Sequence, residues 1–365
     1  MEQEGKIMHA FPGGNTCNGF HSFYDYILPQ NEANRIFVLK GGPGVGKSTF
    51  MRRIGLEMSS MGHNVEFMHC SSDNNSLDGI VITDLKIAMI DGTAPHIVDP
   101  KHPGAIDEII HLGDFWNEEG LRKSKDDILL ITSEISGLFA RAYKYLGAGK
   151  YIYNDIEKIY DEAINMRMVV KEAQLLSSKI FEEIEPLDKL SKERHLFISA
   201  ITPEGPKNYL SNLIEAQRNV YIVKGPYGKG HKKIFSKIME SAEVKGLNIE
   251  CYHCAFNPDI VEHIVIPELK TAIVTSRKYH PVDISSSIGV TDLDKCLNTS
   301  ILDKYSEVLE FDTTEFDNLF SKAVEKISQA KALHDKLETY YVPNMNFESI
   351  ENLRRKVLEK ILKKS

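Results

Sequence analysis

The chain has one tryptophan and only five cysteines, Cys17, Cys70, Cys251, Cys254 and Cys296, in 365 residues. A sparse, odd cysteine set with no basic-then-apolar N-terminal segment argues against a disulfide-built secreted scaffold and reads as a reduced, cytoplasmic protein. No apolar run approaches the roughly 20 residues that a spanning helix needs, so no membrane association is expected. Basic residues are not in excess: 44 Lys and Arg stand against 52 Asp and Glu, a formal net charge of −8. That balance argues against a general nucleic-acid binder, whose footprint is basic. Cys251-Tyr-His-Cys254 has C-x-x-C spacing but lies inside Asn248-Ile-Glu-Cys-Tyr-His-Cys, which reads as a strand. Strand residues three apart point to opposite faces, which disfavours a shared metal or a redox turn. What remains is ordinary: 42% hydrophobic and 26% charged residues give a globular balance, and the length favours two domains.

One stretch carries chemistry. Gly41-Gly42-Pro43-Gly44-Val45-Gly46-Lys47-Ser48-Thr49 follows the apolar run Ile36-Phe-Val-Leu39 and precedes a helical pattern. It fits G-x-x-x-x-G-K-[ST] without a mismatch, in the strand, loop, helix order that the motif requires. Glycines let the backbone turn tightly, so that successive N–H groups and a helix N-terminus point at one phosphate chain. Lys47 is expected to reach the β- and γ-phosphates and Ser48 to offer its hydroxyl to Mg²⁺. Downstream, Ile87-Ala-Met-Ile90 ends on Asp91-Gly92, the form of a carboxylate that holds Mg²⁺ from the end of a buried strand. Asp73 and Asp78 are placed in the loop after the second strand, as candidates to activate water or bind an acceptor.

Residues 1 to 35 read as a glycine- and proline-containing loop (His9 to Thr16) and then an aromatic-spaced helix. The helix after the phosphate loop is expected to run from Lys47 to about Met61 and stop at Gly62. From about Ile106 to Lys192 the pattern is helical, long enough for a hairpin projecting from an α/β core.

The second half repeats the first. At a shift of 184, residues 36–99 lie on 220–283 without a gap, with 19 of 64 positions identical. His9 and Phe11 match His195 and Phe197 at a shift of 186, and Glu157 and Tyr160 match Glu338 and Tyr341 at 181. The boundary falls near residue 190, giving an N-terminal unit (1–190) and a C-terminal unit (191–365). The copies differ where the chemistry is: Lys47, Ser48, Thr49 and Asp91 become His231, Lys232, Lys233 and Thr275. Their joint loss supports a joint purpose in the first copy and predicts that the second has no Mg²⁺-dependent turnover. Its basic, glycine-containing loop, 225–233, is open to either anion binding or a structural turn. His69 and His253, and His96 and Asp99 with His280 and Asp283, persist in both copies and are read as structural.

These runs, with His69-Cys-Ser-Ser-Asp73, Ser76-Leu-Asp-Gly79, Asp91-Gly-Thr-Ala-Pro-His96, Val98-Asp-Pro100 and Ala200-Ile-Thr-Pro-Glu-Gly205, resemble a bacterial family of tandem-repeat P-loop ATPase-like, nucleotide-kinase-like proteins. The resemblance covers most of the chain and supplies no substrate. It implies ATP binding, and the chain departs from it at His231 and Lys232. The expected fold is α/β, a tandem duplication of a P-loop NTPase-type unit with a mainly parallel sheet and an attached helical hairpin in each copy. The expected activity is a Mg²⁺-dependent ATPase at the first site. The alternatives are a kinase acting on a small molecule or nucleotide, and a nucleotide-sensing module that signals to a protein partner. The absence of an N-K-x-D signature tilts the choice towards adenine.

Overall fold

The computed structural model describes residues 4–363 apart from 94–96, 279, 284 and 286. The first half contributes β1 (Ile7–Ala10), β2 (Gly13–Thr16), β3 (Gly19–Ser22), β4 (Arg35–Lys40), α1 (Lys47–Ser60), β5 (Val65–His69), β6 (Leu77–Ile82), β7 (Ile87–Asp91), β8 (Asp107–His111), α2 (Glu118–Lys123), α3 (Lys125–Ala163) and α4 (Met166–Phe181). The second contributes β9 (Glu193–Phe197), β10 (Ser199–Thr202), β11 (Gly205–Asn208), α5 (Leu210–Glu215), β12 (Asn219–Lys224), α6 (Lys229–Val244), β13 (Ile249–His253), β14 (Val261–Ile266), β15 (Thr271–Thr275), β16 (Gly289–Asp292), α7 (Thr299–Lys304), α8 (Ser306–Tyr341) and α9 (Phe347–Leu362).

Two six-stranded sheets result, ordered β1-β5-β6-β7-β4-β8 and β9-β13-β14-β15-β12-β16. In each, one strand runs against the others, β6 in the first and β14 in the second. The α/β class, the mostly parallel sheets and the two similar halves agree with the sequence reading. Even the backbone strain repeats, since the matched Lys86 and Lys270 both take positive φ, 53° and 46°. Two segments differ from expectation. His9 to Ser22 is not a loop and helix but β1 and the β2–β3 hairpin, with only a short 3₁₀ turn at Tyr24–Tyr26. Residues 107–111, expected as helix, form β8, because parallel pairing with β4 satisfies their backbone at the sheet edge.

The central strands are buried on both faces. Phe37 and Leu39 of β4 face one core with α1, while Ile36 and Val38 face a core shared with Val220, Ile222 and Val274 of the other half. A local two-fold relation is visible where Phe11 and Phe197, counterparts in the repeat, exchange both backbone hydrogen bonds at 2.8 and 3.0 Å.

The hairpins are not attached to their own cores. Ile350, Val357 and Ile361 of α9 pack against Phe37, Leu39 and Ile54 of the first half. Val169, Leu176 and Ile180 of α4 pack against Ile234, Phe235 and Ile238 of the second. The exchange is symmetric: Asn117 and Phe115 bond backbone to backbone with Asn344 and Asn346, as Asn298 and Cys296 do with Ala163 and Asn165. Long helices α3 and α8 run past each other antiparallel, the start of α8 meeting the end of α3 through Tyr305 and Glu162 (3.1 Å). They carry each chain end across to the opposite sheet. The stripes at 350, 357, 361 and at 169, 176, 180 each bury three aliphatic side chains, worth roughly 1.5–3 kcal/mol apiece, and neither stripe encodes which sheet it meets.

Candidate functional site

The 41–46 loop leaves the carboxyl end of β4, where a run of buried aliphatic and aromatic residues has brought the chain out of the core. Gly44 (φ 67°) and Gly46 (φ 89°) occupy the left-handed region and turn the chain into α1, which begins at Lys47 with Gly46 as its N-cap. The Lys47 ammonium donates to the carbonyls of Gly41 and Gly42, both at 2.8 Å, and stands 3.6 Å from Asp91 Oδ2. Burial pushes the Lys47 pKa down, and Asp91 and Glu338 push it back up. Asp91 is the last residue of β7, level with Leu39 of β4, and its Oδ1 accepts from Thr93 N at 2.9 Å. The Thr93 hydroxyl donates to Gly41 O at 2.9 Å, which fastens the strand end to the loop.

The remaining sequence candidates are placed less uniformly. Ser48 Oγ accepts from Leu77 N at 3.0 Å, and Val45 is buried under the loop. Thr49 points to the exposed side of α1. Asp73 lies in the loop after β5, where its oxygens accept from Asn75 N and Ser76 Oγ, both at 3.0 Å, and Oδ2 pairs with Lys331 Nζ at 3.1 Å. Asp78 is not a loop residue: it is the second residue of β6 and is buried. It lies beside Tyr24 and Cys70, whose pKa values rise chiefly through burial and secondarily through this carboxylate. His96 lies outside the described residues. Asp99 pairs with Lys40 at 2.9 Å, and Lys40 also donates to Gly92 O and Val98 O, pinning the chain where it leaves the sheet.

The roof of this site comes from the other half. A side chain at Gly42 would stand 2.6 Å from the Tyr341 ring, and one at Gly44 would stand 3.2 Å from Glu338 and Val342. Phe347 covers Gly46. Lys331, Glu338 and Tyr341 were not found as site residues by sequence reasoning. The signal was present, since Glu338 and Tyr341 repeat Glu157 and Tyr160, but without the helix exchange it had no spatial meaning.

The second loop is built differently. His231, at the position of Lys47, is 1% exposed and stacks on Phe235 with ring centroids 4.3 Å apart; burial holds its pKa well below the usual value. Thr275, in place of Asp91, is fully buried. The chain supplies an anion of its own: Asp161 Oδ1, from α3 of the first half, accepts from Lys229 N at 2.6 Å. Its counterpart over the first loop is Val342, so no carboxylate occupies that place there.

Cys251 packs into the core with α4 and α6, and Cys254 into the cluster between α3 and α8, so the two side chains lie on opposite sides of the strand; all five thiols are free. His9 Nδ1 and His69 Nε2 lie 2.9 Å apart, and so do His195 Nδ1 and His253 Nε2, in ring stacks with Tyr209 and Phe23 respectively. Glu262, His263 and His280 come within ligating distance of one another. However, His263 Nδ1 accepts from Thr275 N at 3.1 Å, which leaves the proton on Nε2 facing Glu262, and Glu262 pairs with His280 at 2.8 Å. Glu262 and His280 form the close ion pair of the trio, while His263 Nε2 and His280 Nδ1 are buried without a hydrogen-bond partner. Among the described residues no helix is long and apolar enough to cross a membrane.

No family model matches the chain. A curated protein of Streptomyces virginiae, described as "uncharacterized protein in mutB 3'region", is similar over 58 residues at 33% identity, which is 16% of this chain and 62% of that protein. The chain thus spans less than two thirds of that relative's length. No solved structure matches.

Proposed function

We propose that the 41–49 loop is a P-loop and that the protein is a Mg²⁺-dependent ATPase working at this first site. The observation that carries the reading is one juxtaposition: a glycine loop opening a helix at Lys47, with Asp91 ending the adjacent parallel strand 3.6 Å from that lysine. Lys47, held beside the carbonyls of Gly41 and Gly42, is placed to leave them for the β- and γ-phosphates of a nucleotide. There it stabilises the charge that spreads over the transferring group. The amides at the start of α1 and the loop glycines bind the phosphate chain. Ser48 and Asp91 offer only oxygen donors, which suits a hard dication; Mg²⁺ held by them would neutralise charge on the phosphate oxygens. Water attacks the γ-phosphorus, the bond to the bridging oxygen of ADP breaks, and the proton passes to solvent. Asp73, with its oxygens engaged by Asn75, Ser76 and Lys331, acts as a positioning residue that ties the roof to the loop.

The test is phosphate release from ATP and Mg²⁺ by the wild type and by Lys47→Ala. We expect a loss on the order of 10²–10³-fold in kcat for the variant with an unchanged melting temperature. ATP bound without turnover by the wild type would replace the hydrolase with a nucleotide-sensing module, the second reading, which the roof contributed by the opposite half favours. ATP that fails to bind sinks both.

A further inference from the structure

The second half contains a cavity of about 480 Å³. It opens where β12, β13 and β15 end, the side on which open α/β sheets take ligands, and α3 and α8 close it from above. Its walls are aromatic: Tyr153, Phe256 and Phe316 form a mutually packed triad with ring centroids 5.0–5.5 Å apart. Into it projects Arg277, whose guanidinium lies over the Tyr227 ring at 3.2 Å.

That guanidinium is the unexplained group. Its Nε is buried without a hydrogen-bond partner, and among the described residues no carboxylate lies within ion-pair distance of it. Four acids line the cavity, Glu157, Glu262, Asp294 and Asp317, and two of them are paired elsewhere. Glu262 pairs with His280 at 2.8 Å and Asp317 with Lys278 at 2.6 Å. Glu157 has its pKa raised by burial, and its Oε1 also lacks a partner. A guanidinium set into an apolar wall with only a cation–π contact is costly unless something anionic meets it. The two halves differ here: Thr93, Pro43, Ser72 and Ile135 stand in the first half where Arg277, Tyr227, Phe256 and Phe316 stand in the second. Moreover, Asp161 fills the second loop, so an anion entering here is directed to Arg277 and not to the loop amides.

We propose that the second half is a binding site for a small organic anion with a flat apolar body, its carboxylate or phosphate on Arg277 and its body among Tyr153, Phe256 and Phe316. A cavity of this size falls within the usual range for small-molecule ligands.

The test uses the full chain and three probes of one shape, 2-naphthoate, 2-naphthyl phosphate and the neutral 2-naphthylmethanol, titrated by calorimetry. At least one anion is expected to bind ten times or more tightly than the neutral probe, and which anion wins identifies the headgroup. Arg277→Met, which keeps the stem and removes the charge, should abolish that preference, and Phe316→Ala should weaken all probes together. If Arg277→Met does not fold, the wild-type ratio of anionic to neutral affinity decides alone. Equal affinities for the three probes, an undiminished preference in Arg277→Met, or no saturation by either anion overturns the proposal.

Discussion

Among single residues, the histidine pairs make the clearest statement about pH. His69 and His253 are 5% and 9% exposed, and burial chiefly holds their pKa values at about 3 and about 4, against 6.5 for a free ring. Their partners His9 and His195 are shifted in the same direction by the same cause. In the unfolded chain these rings take up protons near pH 6.5, whereas in the fold they resist until far lower pH. Unfolding therefore absorbs protons below about pH 6.5, and stability falls as the pH is lowered from there towards 4. Each fully shifted ring contributes a slope of about 1.4 kcal/mol per pH unit. His280, whose pKa is raised by Glu262 against the pull of burial, opposes this with one group against several. Urea unfolding at pH 8, 7, 6 and 5 should show a plateau and then a fall, and His69→Gln should shallow the fall by about one proton. A flat profile would show that the two stacked pairs do not hold their rings neutral.

At the level of elements, much of the site was legible and its roof was not. The strand, loop and helix at 36–60 follow from an apolar run, from glycines that only a left-handed turn needs, and from a helical stripe beginning at Lys47. The repeat at a shift of 184 located the second loop and its lost groups. What local pattern cannot carry is direction and partner. Ile80-Val-Ile82 reads as a strand whichever way it runs, so neither the antiparallel course of β6 nor the placing of Asp78 on it was visible. His9 to Thr16 looks like a loop because its glycines and proline are local facts, while the pairing of β1 with β5 is not. The stripe on α9 fits either sheet, and only the long reach of α8 assigns it to the first. That assignment is testable. Ile361 is 1% exposed, and Ile361→Ala should cost about 2–5 kcal/mol through the cavity it leaves. Hydrogen exchange should then quicken in α1 and β4 while α6 and β12 stay protected. Loosening confined to α6 and β12 would place α9 on the wrong sheet.

For the whole molecule, the exchange of helices changes what the two halves are. A chain of two independent units is expected to melt in two steps, each unit with its own core. Here the first sheet is completed by α9 from the far end of the chain and the second by α4 from the first half. Ile36, Val38 and Ile90 share one core with Val220, Ile222 and Val274. Asn15, fully buried, donates to Ser71 O in its own half and to Ile201 O in the other, while Arg194 spans the halves with a bidentate pair to Glu66 at 2.6 and 2.9 Å. Unfolding one half strips a helix from the other, so neither should persist alone. Calorimetry is expected to show one transition with calorimetric and van't Hoff enthalpies in agreement. ATP with Mg²⁺, held at the proposed first site at one hundred times its Kd, should move that whole transition by the equivalent of about 2.7 kcal/mol. Two resolved transitions, with only the first responding to nucleotide, would mean that the interwoven cores do not couple the halves; the 41–49 loop would then be served by its own half alone, and the Lys331, Glu338 and Tyr341 roof would be packing without consequence for the nucleotide.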